Sequence, residues 1–482
     1  MRKEERNMKL IKIVEGEEFL ANAKDFLSGV DESDHAEVTA LVSKIISAVH
    51  DEGDSAVRRY AECFEKDVPV KFEIPAKAAS EAWEKLKSEE SGLASSLAFA
   101  ADHIRRFGKL QKEQFVSFET EIEPGLFTGQ KVIPVESSAI YVPSGRFPLL
   151  STALMGLIPA EIAGVKERIL VSPPGDDGLP NKYILAAAYI AGVNRIFALG
   201  GAQAIAAFAL GTETIPQVDL IVGPGNKYVA AAKQLLYGEV GIDFVAGPTD
   251  VLIITDVSAG LDAEKANLVR GAADLIAADM LAQAEHDPNA CARVLVPDRE
   301  MADQIVKALE NRLESLPTAE IALASLNSGG LIIIYNSREE AMNIANRIAP
   351  EHLELHVSSP DEWTGESEDE DLTGRSSTPS LRNYGSLFIG SAAGEVLGDY
   401  TAGINHTLPT SGSARFTGGL SVRNFLKVVT TLRCNSSKNY KNALVAAETM
   451  AKAEGLAGHA ESAALRIRRI TPDCTVERVS EI

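Results

Sequence analysis

Cysteine is scarce in this 482-residue chain: its four residues, Cys63, Cys291, Cys434 and Cys474, lie far apart with no Cys-x-x-Cys spacing. That absence argues against a disulfide framework and against a thiolate zinc site, and makes a reducing cytoplasm the expected compartment. Long apolar runs are missing as well. No stretch reaches the roughly 18 to 20 apolar residues that a membrane span needs. Positive charge is the third deficit, with 47 Lys and Arg against 68 Asp and Glu and a net charge of −21. Such a surface repels phosphate backbones and anionic lipid heads, so neither nucleic acid nor membrane is expected as a partner. The segment Met1–Met8 carries both signs of charge with no apolar core behind it, and reads as neither a secretory signal nor a typical transit peptide.

What is present is a chain 45% hydrophobic, able to bury a large core. From Gly16 to about Gln114 the apolar residues recur at helical spacing, as in Val38–Val49, with little strand character. After Pro124-Gly125 short β-branched runs alternate with Ala-rich helical segments. Ser138–Val142, Arg168–Ser172, Arg195–Leu199 and Leu220–Val222 read as buried parallel strands. A second block follows with Val251–Thr255, Ala292–Val296 and Gly330–Tyr335. Alternating strand and helix implies α/β architecture with doubly wound sheets. Two such blocks predict a cleft where the carboxyl ends of strands place ligands. The acidic, Ser-rich stretch at 361–379 reads as a solvated insertion, and the region from about Asn424 to Ile470 as mostly helical.

Eight histidines occur. His35, His50 and His103 sit among charged residues and read as surface. Gln283 and His286, three apart at the end of a long helix, present an oxygen and a nitrogen on one face, which reads as a helix C-terminal cap or as a ligand pair for Zn²⁺ or a similar ion. In Ala349-Pro-Glu351-His352 a carboxylate and an imidazole stand at the entrance to a strand, either as a solvent-facing pair or as a proton-transfer pair. His356 is placed on the opposite or outer part of that strand. Gly398-Asp399 through Gly412 has Gly and Pro spacing that predicts a loop presenting Asp399 and His406. Glu454 and His459 lie in an Ala-rich helical region and by themselves read as surface residues. No Gly-x-Gly-x-x-Gly follows a strand: Gly200-Gly201-Ala202-Gln203 and Val222-Gly-Pro-Gly-Asn226 are both incomplete.

Tyr141-Val-Pro-Ser-Gly145, Gly200-Gly-Ala-Gln-Ala-Ile205, Val222-Gly-Pro-Gly-Asn226, Gln283-Ala-Glu-His286, Ala349-Pro-Glu-His352, Gly398-Asp399 with Asn405-His406-Thr-Leu-Pro409, and Glu454 with His459 follow one another in an order that resembles the histidinol dehydrogenase family. The resemblance implies an α/β fold of two incomplete Rossmann-like halves, with an N-terminal helical layer and a helical C-terminal dimerisation tail. The segments expected are a helical region at 1–125, an NAD-binding half at 126–248, a second half with the metal and base residues at 249–395, and a loop with a dimer-exchange tail at 396–482. The implied activity is NAD- and zinc-dependent oxidation of L-histidinol to L-histidine through an aldehyde. Gln283, His286, Asp399 and His459 are the implied zinc ligands, His459 coming from the partner subunit of a homodimer with shared active sites. His352 is the implied general base and Glu351 the residue that activates water. Thr249, His406 and Glu454 join the zinc ligands and His352 around the substrate, and Tyr141, Gln203 and Asn226 contact NAD.

The chain departs from the family pattern in places. Gly247-Pro-Thr249-Asp250 stands where the family usually has Gly-Pro-Ser-Glu, which keeps a hydroxyl, adds a methyl and shortens the acid. Thr249, together with Asn383-Tyr-Gly-Ser-Leu387, is similar to relatives that oxidise other small polyols such as sulfonated propanediols. The alternative expectation is therefore a paralogous zinc and NAD dehydrogenase acting on such a substrate.

Overall fold

A computed structural model describes residues 10–27, 32–145, 147–258, 263–364, 380–435 and 440–470. Most of the acidic stretch at 361–379, together with Met1–Met8 and Cys474, lies outside the described residues. In chain order, β1 (Lys12–Glu15) precedes a run of helices that, among the described residues, is interrupted only by β2 (Glu73–Ile74). β3 (Phe118–Glu123) and β4 (Leu126–Pro134) follow, then β5 (Ser137–Tyr141), β6 (Glu167–Ser172), β7 (Arg195–Ala198), β8 (Leu220–Val222) and β9 (Gly241–Ile242). The second block holds β10 (Asp250–Thr255), β11 (Cys291–Val296), β12 (Leu331–Ile334), β13 (His352–His356) and β14 (Ser386–Ile389), and β15 (Leu426–Cys434) comes last.

Twelve of these strands make two six-stranded sheets, ordered β2-β7-β6-β5-β8-β9 and β1-β12-β11-β10-β13-β14, so the expected α/β class with doubly wound sheets is what the chain adopts. Every pairing in the second sheet is parallel, and in the first only the edge strand β2 runs antiparallel. Parallel strands covered by helices on both faces are apolar along their whole length, which is why β10 (Asp-Val-Leu-Ile-Ile-Thr) and β12 (Leu-Ile-Ile-Ile) lack alternation. In each sheet the first strand of the block sits centrally, with the next two on one side and the fourth on the other. The direction of winding therefore reverses between β5 and β8, and again between β10 and β13.

The N-terminal helices do form a layer. Val42, Ile45 and Val49 of the helix Glu32–Glu52 are buried against Ile205 and Phe208 of the helix Gly201–Leu210 in the core of the first sheet. The region is not free of strands, however. β1 leaves it to pair with β12 at the edge of the second sheet, and β2 pairs with β7.

The described chain divides into two compact units, one of residues 1–111 and 135–425 that holds both six-stranded sheets, and one of residues 112–134 and 426–482. Within the second unit β4 pairs antiparallel with β15 over nine residues and with β3 on its other side, a three-stranded sheet that the helical reading of the C-terminal region missed. Helices Lys441–Ala453 and Ala457–Ile470 follow β15. None of the described helices is long and apolar enough to cross a membrane.

Candidate active site

The second sheet gathers its polar residues at the amino ends of its strands. Thr249 immediately precedes β10, Glu351 precedes β13, and His352 is the first residue of β13. Parallel pairing sets Val251 opposite His352, so these neighbours meet at the winding reversal. Asp250 ties them together, its Oδ1 accepting the Glu351 N–H at 3.0 Å and its carbonyl lying 3.3 Å from His352 Nδ1. The cleft prediction placed ligands at carboxyl ends, and in this half the structure corrects it. The reason is that the site loops arrive from helix C-termini: the helix Ala263–Ala284 runs out into His286, and Arg338–Ile348 ends just before Glu351. A helix C-terminus carries partial negative charge and favours cations.

Glu351 and His352 are buried, 5% and 3% exposed. Thr249 Oγ1 lies 2.5 Å from Glu351 Oε2, and the Asp250 N–H donates to the same oxygen at 3.2 Å. Burial pushes the Glu351 carboxyl up to about 7, the charge of Asp250 adding to it while His352 and the Thr249 hydroxyl oppose it. When the ring is neutral with Nδ1–H directed at the Asp250 carbonyl, its lone pair sits on Nε2, which has no hydrogen-bond partner and stands 3.7 Å from Asp399 Oδ1. Burial alone depresses the imidazole, yet Glu395, Glu351 and Asp399 together raise it well above its ordinary value.

Asp399 does not lie on a loop. It sits in a short helix, Glu395–Tyr400, one turn after Glu395, which sequence reasoning passed over. The four-residue spacing that puts both carboxylates on one helix face was visible in the sequence. Glu395 Oε1 lies 3.6 Å from His352 Nδ1. The Gln283 amide stands between Thr249 Oγ1, at 2.7 Å, and the Glu395 carboxylate; with its NH₂ facing Glu395 Oε2 at 2.9 Å, its oxygen competes with Glu351 Oε2 for the single hydroxyl hydrogen of Thr249. His286 Nε2 is 4.0 Å from Asp399 Oδ2, and one donor atom each from His286, Glu395 and Asp399 lie within 4.8 Å of one another. Burial raises the Asp399 carboxyl, but His352, His406 and His286 outweigh it and hold the group low; Glu395, buried among other carboxylates, is pushed high. Nitrogen and oxygen donors around an excess of buried carboxylate fit a divalent metal ion.

His406, from the irregular segment after that helix, has Nδ1 3.0 Å from the Asp399 carbonyl and Nε2 3.2 Å from Thr152 Oγ1, and burial lowers its pKa. His103, read as a surface residue, instead has Nδ1 2.7 Å from the Thr401 carbonyl and helps seat this segment. His356 is also corrected: residues two apart on a strand share a face, so it points the same way as His352 and is buried. Glu454, the C-cap of the helix Lys441–Ala453, and His459 are exposed residues of the second compact unit.

The first sheet has polar groups at its carboxyl ends. Tyr141 ends β5, and its hydroxyl accepts the Gly201 N–H at 3.2 Å; burial raises its pKa to about 12. Gly201 and Gln203 open the helix that follows β7. Gln203 Nε2 donates to Glu65 Oε1 at 3.2 Å, and Gln203 Oε1 is buried without a partner. Glu65, another residue the sequence did not single out, also accepts the Gly200 N–H at 2.7 Å, and burial pushes it up to about 7. After β8, Gly223 has φ +114°, and a Cβ there would approach the Tyr141 carbonyl oxygen to 2.1 Å, so the turn requires glycine. Asn226 caps the next helix, its Oδ1 accepting from the Tyr228 and Val229 N–H groups at 3.0 and 3.1 Å. Two helix N-termini beside glycine turns suit the phosphates of a dinucleotide.

Comparison with known proteins agrees with this architecture. Residues 30–467 match the family model described as histidinol dehydrogenase. The histidinol dehydrogenase of Thermus thermophilus is 43% identical over 429 residues, covering 89% of this chain and 94% of that protein. That of Methylococcus capsulatus is 39% identical over 464 residues, covering 96% and 99%. The crystal structure of histidinol dehydrogenase from Elizabethkingia anophelis superimposes with a TM-score of 0.80 at 30% identity, over 95% of this chain and 98% of that one. The chain is thus an oxidoreductase that belongs to the histidinol dehydrogenase family.

Proposed function

We propose that this enzyme oxidises L-histidinol to L-histidine in two successive NAD-dependent steps, with Zn²⁺ bound in the site and the intermediate aldehyde retained there. The observation that carries the reading is the buried His352, whose unpartnered Nε2 faces Asp399 next to a Glu351 carboxyl raised to about 7. Gln283, His286 and Asp399, with His459 of the partner subunit, would hold the metal. Tyr141, Gln203 and Asn226 would contact the dinucleotide. When bound, NAD supplies the acceptor for both hydrides and Zn²⁺ a Lewis-acidic anchor for the substrate nitrogens.

The protein's own residues account for the protons. His352 Nε2 takes the hydroxyl proton as hydride leaves the adjacent carbon, giving the aldehyde. Glu351, in its ionised form, takes a proton from the water that adds to the aldehyde, while the protonated His352 returns its proton to the carbonyl oxygen and becomes neutral again. His352 then takes a hydroxyl proton of the resulting hydrate as the second hydride leaves, and the carboxylic acid so formed releases its remaining proton to give the carboxylate. Thr249 orients Glu351, and Glu395 positions the His352 ring. The histidinol-derived cation suits an acidic pocket set at helix C-termini. A homodimer is supported by the second compact unit, where Val428, Leu432, Val445, Met450 and Leu465 are exposed apolar side chains.

The test is stoichiometry. Purified enzyme given limiting L-histidinol with excess NAD should form two NADH and one L-histidine per histidinol consumed. A ratio of one, or equal rates with simple polyols, would reject the reading.

A further inference from the structure

Behind His352, β13 carries a second group of donors that the reaction does not use. Glu354 and His356 share its inward face and meet Asp279 from the helix Ala263–Ala284, and one donor atom from each of the three lies within 4.8 Å of the others. Glu354 is fully buried and His356 is 6% exposed. Glu354 Oε2 and His356 Nε2 stand 3.2 Å apart, and neither they nor Asp279 Oδ2 makes a hydrogen bond. Buried acceptors without hydrogen bonds are costly, and even with the Glu354–His356 ion pair, two carboxylates against one imidazole leave the group short of positive charge.

We propose that Asp279, Glu354 and His356 form a second divalent-cation site, distinct from the Gln283, His286 and Asp399 set, for a first-row metal ion such as Zn²⁺. Two ligands bound tetrahedrally at about 2.1 Å from one ion stand about 3.4 Å apart, close to the Glu354 to His356 separation. One imidazole with two carboxylates is a donor set such ions accept. Asp279 is only partly buried, which leaves a route from solvent. The ion has a structural role: Glu354 Oε1 accepts the Glu395 N–H at 2.6 Å, so fixing Glu354 fixes the start of the helix that presents Glu395 and Asp399.

The test is metal counting on the full-length protein, stripped with a chelator, reloaded with graded Zn²⁺ and freed of unbound metal. Wild type should retain two zinc ions per chain, and Asp279→Asn and His286→Ala one each. The affinity of the site altered by Asp279→Asn should fall at least about tenfold. A single ion in wild type that His286→Ala removes and Asp279→Asn leaves overturns this proposal while sparing the catalytic reading. A single ion that Asp279→Asn removes and His286→Ala leaves supports this site and counts against the catalytic one. If the variants fail to fold, Co²⁺ titration of wild type serves instead: visible absorption should saturate at two equivalents, and saturation at one equivalent whose spectrum L-histidinol perturbs overturns the proposal.

Discussion

In the first sheet the polar groups lie past the carboxyl ends of β5, β7 and β8, whereas in the second Thr249, Glu351 and His352 stand at the amino ends of β10 and β13. The two sheets have the same strand order. What differs is which end of the neighbouring helices reaches the polar groups. Past the carboxyl ends come helix N-termini, with free N–H groups suited to phosphate. Before the amino ends come helix C-termini, suited to a metal ion and a cationic substrate. One topology can thus offer environments of opposite polarity, and the amino acids follow: glycine, Tyr141 and Gln203 in one, carboxylates and imidazoles in the other.

The comparison breaks most visibly if the amino-end residues prove dispensable. His352→Ala should lower kcat about 10²- to 10⁴-fold, the usual contribution of a positioned base, with bound metal unchanged by elemental analysis. A loss below tenfold would move the chemistry elsewhere.

A smaller effect tests the carboxyl-end cradle. Burial lifts Glu65 from 4.5 to about 7, so its folded pKa is above its unfolded one. The unfolded chain then loses this proton first, and stability falls as pH rises from 4.5 to about 7 and stays low above that. Glu65→Gln should remove this loss, stabilising the protein by up to about 3 kcal/mol at pH 8. Denaturant titrations at pH 8 and pH 4 check the sign, since the gain should vanish at the lower pH; an equal gain at both would show that charge is not the cause.

The smallest effect concerns Thr249, one of the two neighbouring positions where the site departs from its family pattern. Thr249→Ser keeps the hydroxyl that meets Glu351 and should change kcat/KM for L-histidinol less than about fivefold, under about 1 kcal/mol. Thr249→Val, which lacks that hydroxyl, should lower kcat more than Ser does. Equal effects would mean that the hydrogen bond is not what this position contributes.

The parallel strands were legible because burial on both faces leaves an uninterrupted apolar run, as in β10 and β12. The antiparallel sheet was not, although β15, with Val428, Val429, Thr430 and Thr431, is rich in β-branched residues. Its partner β4 is so distant in the chain that no local pattern links them. Gln283, His286, Glu351, His352 and Asp399 could be named from short motifs, and they do gather around one point. Glu395 escaped because only the fold buries it. Glu65 escaped for a related reason: in sequence it is one more acid in a charged helical region, and it becomes distinctive only where the Gly200 N–H reaches it.

The pairing of β4 with β15 also sets a timetable. Synthesis proceeds from the N-terminus, so β3 and β4 emerge before the parallel strands of either large sheet except β1, while the strand that completes their own sheet is made after both. Until then one edge of β4 presents nine residues of unpaired backbone, the kind of surface on which nascent chains aggregate. A late-made strand therefore closes one of the earliest exposed edges.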